Sequence, residues 1–483
     1  MNLQRSDVSI GPDPHRVVAR PFIPGFVGTL DYLGSRVEQI VERVLALSSS
    51  EAGELLAQAS AAFGRRHRDL EVRWEAHFLE ALPHSPRLDS IQGELRALIG
   101  AYFTQEYAFE AAALCNPSIV PDPAWTGEKT LPFIMSARAI GEGHISSIEF
   151  RTGTVDEAGA VALDDTGPLV TTGRRRSVVY QKPSFVAKLE ELGADWQIAS
   201  AILGALPEKF TYDDLAAVLP SLEVQAAYPV SAFETIRLIH WLASSNYRLE
   251  FSDGPLSERL IFPAGPSDSR GMEDARFVKF VDDDDVVTYY ATYTAFDGFQ
   301  ILPQLIQTTD FMAFDINTMS GESARNKGLA LFPKKIDGRY AALSRHDRER
   351  LYLSFTDDIR RWESSVLIYE PRAGWEAVQV GNCGSPIETE EGWLVVTHGV
   401  GPMRRYCLGA VLLDRKDPSQ VLGRLARPFL EPAEGERDGY VPNVVYSCGG
   451  LAHGGNLVLP FGIADHRISF AIVPVGDLVS AMI

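Results

Sequence analysis

Cysteine is scarce in this chain. There are four in 483 residues, at positions 115, 383, 407 and 448, and no CxxC pair among them. That excludes a disulfide-stapled scaffold and offers no zinc spacing, so the thiols are expected as buried apolar groups in a reducing compartment. Positive charge is short as well: 45 Lys and Arg stand against 64 Asp and Glu, a net charge of −19. An acidic surface repels phosphate backbones, which argues against nucleic acid as a partner but leaves room for a small anion in a local basic pocket. No apolar run reaches the ~18 residues that span a membrane, and the opening stretch MNLQRSDVSIGPDPHRVVAR has no apolar core of signal-peptide length. A cytoplasmic protein without membrane contact is the expectation. Hydrophobic residues make up 45% and charged residues 23%, a globular composition. The length suits two or three domains, or one repeat architecture with an added domain.

What is present divides by periodicity. Residues 36–115 carry apolar residues at spacings of three and four, as in RVEQIVERVLAL and LEVRWEAHFLEAL, and residues 183–245 return to that pattern. The two stretches are expected to pack as one helical unit split in sequence. The remainder reads as strand and repeats: LPFIMSARAIGEGHISSIEFRTG, ARFVKFVDDDDVVTYYATYTAFDG, ALFPKKIDGRYAALSRHDRERLYLSF, PIETEEGWLVVTHGVGPMRRYCLGAVLLD and NVVYSCGGLAHGGNLVLPFGIADHRISFAIV. Turns at Asp285, Gly338 and Gly392 are spaced by just over fifty residues, the period of a four-stranded propeller blade. The predicted fold is mainly β, a five-bladed β-propeller with an added α-helical region. Its parts are a mostly helical N-terminal extension over 1–115, a first blade over 116–182, a helical insertion over 183–245 and the remaining blades over 246–483. A β-sandwich is the alternative, but it leaves the period unexplained. The end of the second strand of each unit is polar (Arg138, Thr294 with Asp297, Arg345 with His346, His398, Asp465), so one end of the channel is the candidate site.

The segment GMEDAR, residues 271–276, puts two acids and an arginine where the chain enters a sheet. Read locally, Asp274 either pairs with Arg276 to pin a turn or serves as a reacting carboxyl. Other motifs carry less. The run RRR at 174–176 reads as a solvated loop and DDDD at 282–285 as a hairpin turn; GEGH at 141–144 has neither metal spacing nor a strand–GxGxxG–helix setting. No metal is expected.

Several segments in order resemble one family. They are GMEDAR followed by Thr292-Tyr293-Thr294-Ala295, NKGLALFPKKIDGRY at 326–340, CGSPIETEEGWLVVTHG at 383–399, YCLGAVLLD at 406–414, VPNVVY at 441–446 and FGIAD at 461–465, with Asn116-Pro117 and SARA ahead of them. The chain resembles the inverting β-mannoside phosphorylases and β-1,2-mannosidases of glycoside hydrolase family 130, which are five-bladed propellers. Four departures stand out: Ala275 for the usual proline of the turn, Gly328 for the Asp of an NKDA motif, Ser385 for a proline and Thr397 for a tyrosine. They bear on substrate choice.

The resemblance implies a glycoside phosphorylase that cleaves β-mannosides, β-1,2-linked manno-oligosaccharides above all, with inorganic phosphate to give α-mannose 1-phosphate. It carries the acid to Asp274, acting through a sugar hydroxyl. An inverting hydrolase needs an acid and a base, whereas phosphate is already an anion and needs only the acid and a cationic cradle. The candidate cradle is Arg138, Lys327, Arg372 and His398, with Arg325 in reserve. Asn116, Arg276, Tyr293, Asn326, Arg345, Tyr406 and Asp465 are the candidate sugar contacts, Tyr293 by stacking. Glu273 is expected to face the opposite side of the strand as a structural partner. The alternatives are an inverting hydrolase with a second carboxylate from Glu142, Asp297 or Asp438, and a glycan-binding propeller without catalysis. No cofactor is expected beyond phosphate as co-substrate. The partners are an oligosaccharide, phosphate and, if the added helices form a subunit contact rather than a pocket rim, a second copy in a homo-oligomer.

Overall fold

A computed structural model describes residues 1–24, 32–223 and 230–483. It divides into two compact units, one of residues 1–12, 112–166 and 173–483, the other of residues 13–111 and 167–172.

The larger unit is mainly β, built from antiparallel sheets whose strands follow one another through short turns. The hairpin Gly271–Val281 with Val287–Phe296 shows the local cause. β-Branched and aromatic residues fill both strands, and the DDDD turn closes with Asp285 at φ 61°, a left-handed conformation that Asp tolerates. The first sheet holds Ala113–Pro121, Leu131–Ile140 and Ser146–Val155, with Arg259–Ile261 along its edge. The second runs from Gly271–Val281 through Val287–Phe296, Ile301–Thr308 and Ala313–Thr318 to Tyr247–Glu250 and Arg174–Arg176. A single parallel bridge, Gly271 to Ser146, joins these two sheets. The third holds Ala330–Leu331, Tyr340–Ser344, Leu351–Thr356 and Ser365–Tyr369, and the fourth Gln379–Asn382, Trp393–Val400, Tyr406–Leu413 and Val421–Arg424. The fifth holds Val445–Tyr446, Asn456–Ile463 and Arg467–Pro474, and takes Gln4–Ile10 as an edge strand.

The first strands of these sheets meet. Ser118 Oγ accepts from the Phe277 amide at 3.1 Å, and Lys327 pairs with Glu273. Asn382 Nδ2 donates to Gly328 O at 2.9 Å, and the Cys448 amide donates to Pro117 O at 2.7 Å. Between the fourth and fifth sheets the backbones nearly touch: a Cβ on Gly384 would lie 2.4 Å from Cys448 O, so only glycine fits there.

Three readings of the sequence need correction. The helices do not form one region split in sequence. Tyr32–Leu45, Ser49–Phe63, Leu70–Ala81 and Gly93–Tyr102 share a core around Phe78, Leu88 and Phe103 in the smaller unit. Lys182–Glu191, Trp196–Gly204, Tyr212–Glu223 and Val230–Ser244 belong to the larger unit and bury Phe185, Leu203, Phe210 and Leu242 in a core of their own. Each group satisfies its apolar stripes internally, so similar periodicity did not mean a shared core. The N-terminal segment is not all helical either: Gln4–Ile10 is a strand of the fifth sheet. The run Arg174–Arg176 is an exposed edge strand against Tyr247–Glu250 rather than a loop, with Arg176 paired to Glu250. A row of arginines suits a sheet edge, where charge discourages further strand pairing. Among the described residues no helix is long and apolar enough to cross a membrane.

Candidate active site

Two β-bulges build the centre of the site. The register slips between Cys115 and Ser118 in the first sheet and between Glu273 and Arg276 in the second. At these slips Asn116 and Asp274 take left-handed backbone, φ 50° and 57°, which Asn and Asp accept more readily than other side chains. The bulges turn the two side chains together, and Asn116 Nδ2 donates to Asp274 Oδ1 at 2.5 Å. Gly271, at φ 146°, opens the strand because a Cβ there would lie 2.5 Å from Ser146 Oγ.

Cations surround the two acids. Arg138 Nη2 donates to Glu273 Oε1 at 2.8 Å while its Nη1 lies 3.6 Å from Asp274 Oδ1. Lys327 donates to the other oxygen of Glu273. Glu273 is therefore not turned away from Asp274; the bulge cancels the strand's alternation and both acids meet Arg138. Arg276 is buried and fully engaged, donating to Cys383 O at 3.0 Å, Asp274 O at 2.8 Å and Tyr446 Oη at 2.9 Å. Burial alone would push the Asp274 carboxyl up, but Arg138, Arg276, Lys327 and the Asn116 amide together hold it below its ordinary value. The resting carboxyl is thus an anion.

Asp465, at φ 47°, lies in the same field. Burial pushes its pKa up to about 6, with Arg138 pulling down and Asp274 pushing up. A carboxyl raised in the folded state contributes stability below its unfolded value of about 3.8, and that stability is lost as pH rises through about 6. Asp465→Asn is therefore expected to gain on the wild type by about 1–2 kcal/mol between about pH 5 and pH 7.5, discounted for its partial exposure. Thermal unfolding of both proteins at the two pH values checks this; a gap that does not move with pH would refute it.

The other expected residues divide. Arg345 Nη1 donates to His398 Nε2, 3.1 Å away, because burial with Arg345 and Arg276 holds His398 well below its ordinary pKa and leaves it neutral. His398 is thus not a cation for phosphate. Tyr406 stacks on its ring at 6.0 Å. Asn326, at φ 65°, donates to His346 O and accepts from Arg348 Nε at 3.1 Å, tying its loop beside Lys327. Two residues stand elsewhere. Tyr293 is 2% exposed in the core, with Oη 3.5 Å from Asp268 Oδ2. Arg276 pairs with Thr292, so the next residue faces the opposite side, and Tyr293 has no open face for a sugar. Arg372 follows the outer strand of the third sheet and lies over the Tyr369 ring at 5.8 Å. Arg325 is exposed and neighbours Lys188.

Of the candidate second carboxylates, Glu142 and Asp438 are exposed, and Asp297 is spent on the amides of Phe299 and Gln300, both at 2.8 Å. The sequence reading missed Tyr446, which anchors Arg276 from the fifth sheet; the VPNVVY motif contained it, but nothing in a buried tyrosine marks a polar contact in advance.

The sequence has relatives. The family model described as β-1,4-mannooligosaccharide phosphorylase, of glycoside hydrolase family 130, matches residues 254–482. A 1,2-β-oligomannan phosphorylase of Thermoanaerobacter sp. is 38% identical over 213 residues, 43% of this chain and 70% of that protein. The chain belongs to glycoside hydrolase family 130. A β-1,2-mannobiose phosphorylase of Listeria innocua is 28% identical over 280 residues, 56% of this chain and 75% of that protein. The solved β-1,2-mannobiose complex of a Listeria innocua β-1,2-mannobiose phosphorylase aligns with a TM-score of 0.45 and 20% identity, over 77% of this chain and 92% of that one. The family 130 match begins at residue 254, yet Asn116 and Arg138, which touch Asp274 and Glu273, come from a sheet before it.

Proposed function

We propose that this family 130 enzyme is a β-mannoside phosphorylase acting on β-1,2-linked manno-oligosaccharides, with Asp274 as general acid and inorganic phosphate as the attacking group. The carrying observation is the Arg138–Lys327 pair against Glu273 and Asp274: two cations at one spot, each able to exchange a carboxylate partner for a phosphate oxygen. Asp297, one of the carboxylates considered for a hydrolytic base, is committed to the amides of its own turn, and Glu273 is committed to the two cations. In this reading Asn116, Asp465, Tyr406 and Asn326 meet sugar hydroxyls, and Arg345, held by His398, supports the phosphate side. The five sheets, whose first strands contact one another in turn, are read as the blades of a five-bladed propeller with the acid at one end of its channel. A cytoplasmic setting fits, since sugar phosphates are useful where they are retained.

Product analysis tests the function. With β-1,2-mannobiose, mannose 1-phosphate is expected only when phosphate is supplied, and α-configured. Free mannose at the same rate with and without phosphate would replace the proposal by hydrolysis.

A further inference from the structure

Beyond the reacting centre, the larger unit has a groove of about 810 Å³ between the helices of 182–244 and the hairpin tip Asp297–Gln300. The size suits a few sugar rings. Its walls mix aromatic and polar groups: Trp241 and Phe299 with Asp195, Glu234, Arg237 and Gln300. Phe299 is 98% exposed, although a phenyl ring in water is costly. The tip is built to hold it there. Asp297 Oδ1 caps the amides of Phe299 and Gln300, and Gly298 supplies φ 100°.

One wall of the groove, the tip Asp297–Gln300, extends from the second sheet, which also carries the acids. Thr294 pairs with Glu273 and Phe296 with Gly271, so the tip projects roughly 10–15 Å beyond the acids at the strand end that carries them. Glu234 and Arg237, on one helix face, make no ion pair among the described residues and are open to hydroxyl groups. We infer that this groove is a distal subsite that binds the far end of a neutral oligosaccharide, with the Phe299 ring as a stacking platform. It rests on the proposed action on manno-oligosaccharides and adds a preference for longer chains, supplied by helices that lie outside the family 130 match.

The test compares wild type, Phe299→Ala and, as a control, Val286→Ala, an exposed residue in the turn at the other end of the strand Val287–Phe296. Phosphorolysis of β-1,2-mannobiose and of a longer β-1,2-manno-oligosaccharide is measured, with calorimetric binding of the longer glycan. Phe299→Ala is expected to lower kcat/KM for the longer glycan roughly tenfold and to leave the disaccharide within about twofold. Equal loss on both substrates, or loss on neither, would overturn the subsite. If wild type turns over neither mannoside, the calorimetry still decides: weaker binding by Phe299→Ala supports the groove while the functional reading fails, and equal or absent binding removes the groove. Should Phe299→Ala instead convert a dimer to monomer in sedimentation, the surface belongs to a second copy and the glycan subsite is overturned.

Discussion

Asp274→Asn is expected to cut phosphorolysis by about 10³-fold or more and to leave the fold intact. General acid catalysis contributes about 10²–10⁴-fold. The amide is isosteric and can still meet Asn116 after an amide flip, so unfolding temperature should change little. Arg138, Arg276 and Lys327 keep the resting carboxyl ionised, whereas an acid must carry a proton. Phosphate bound among those cations weakens their pull and raises the carboxyl's pKa, so binding and protonation are linked. Phosphate binding near about pH 6 should then take up more protons in wild type than in Asp274→Asn, read by calorimetry in buffers of different ionisation heat. A folded Asp274→Asn that keeps near-normal turnover would remove Asp274 from the mechanism. Equal proton uptake by the two proteins would remove the linkage.

Arg138→Ala is expected to lower kcat by about 10²–10³-fold and to raise the KM for phosphate, the usual range for losing a fixed donor to a developing anion. Removing it also leaves Glu273 to Lys327 alone and strips one charge from Asp274, so some loss of stability must be separated from loss of binding. Two companion variants make the separation. Arg138→Lys keeps the charge without the planar fork and should recover stability more than activity. Lys327→Ala removes a half-exposed cation with little structural cost and should raise the phosphate KM with a smaller effect on kcat. Unchanged phosphate KM in both alanine variants would move the phosphate site away from Glu273 and Asp274.

Much of this was legible because the motifs are local. SARA, GMEDAR, NKGLALFPKK and GIAD each name a strand end or the loop beside one, and they supplied the residues that gather around Asp274: Arg138, Arg276, Lys327 and Asp465. Tyr293 and Arg372 failed for reasons that local pattern does not carry. Tyr293 stands on the unbroken strand Val287–Phe296, and which face of that strand meets the core is decided by packing rather than by the motif. Arg372 was chosen by proximity in sequence to the next motif, but it follows the outermost strand of its sheet, with Ala330–Leu331 at the opposite edge.

The sequence by itself determined the strand repeat, the acidic surface, the scarcity of thiols and the family to which this chain belongs, because composition and short motifs survive without knowledge of neighbours. Only the tertiary structure decided that Glu273 shares Arg138 with Asp274, that His398 is neutral and that the helices of 182–244 have their own core. Those outcomes depend on burial, on charge fields and on bulged register between segments more than a hundred residues apart, and such terms are set only when the sheets pack together.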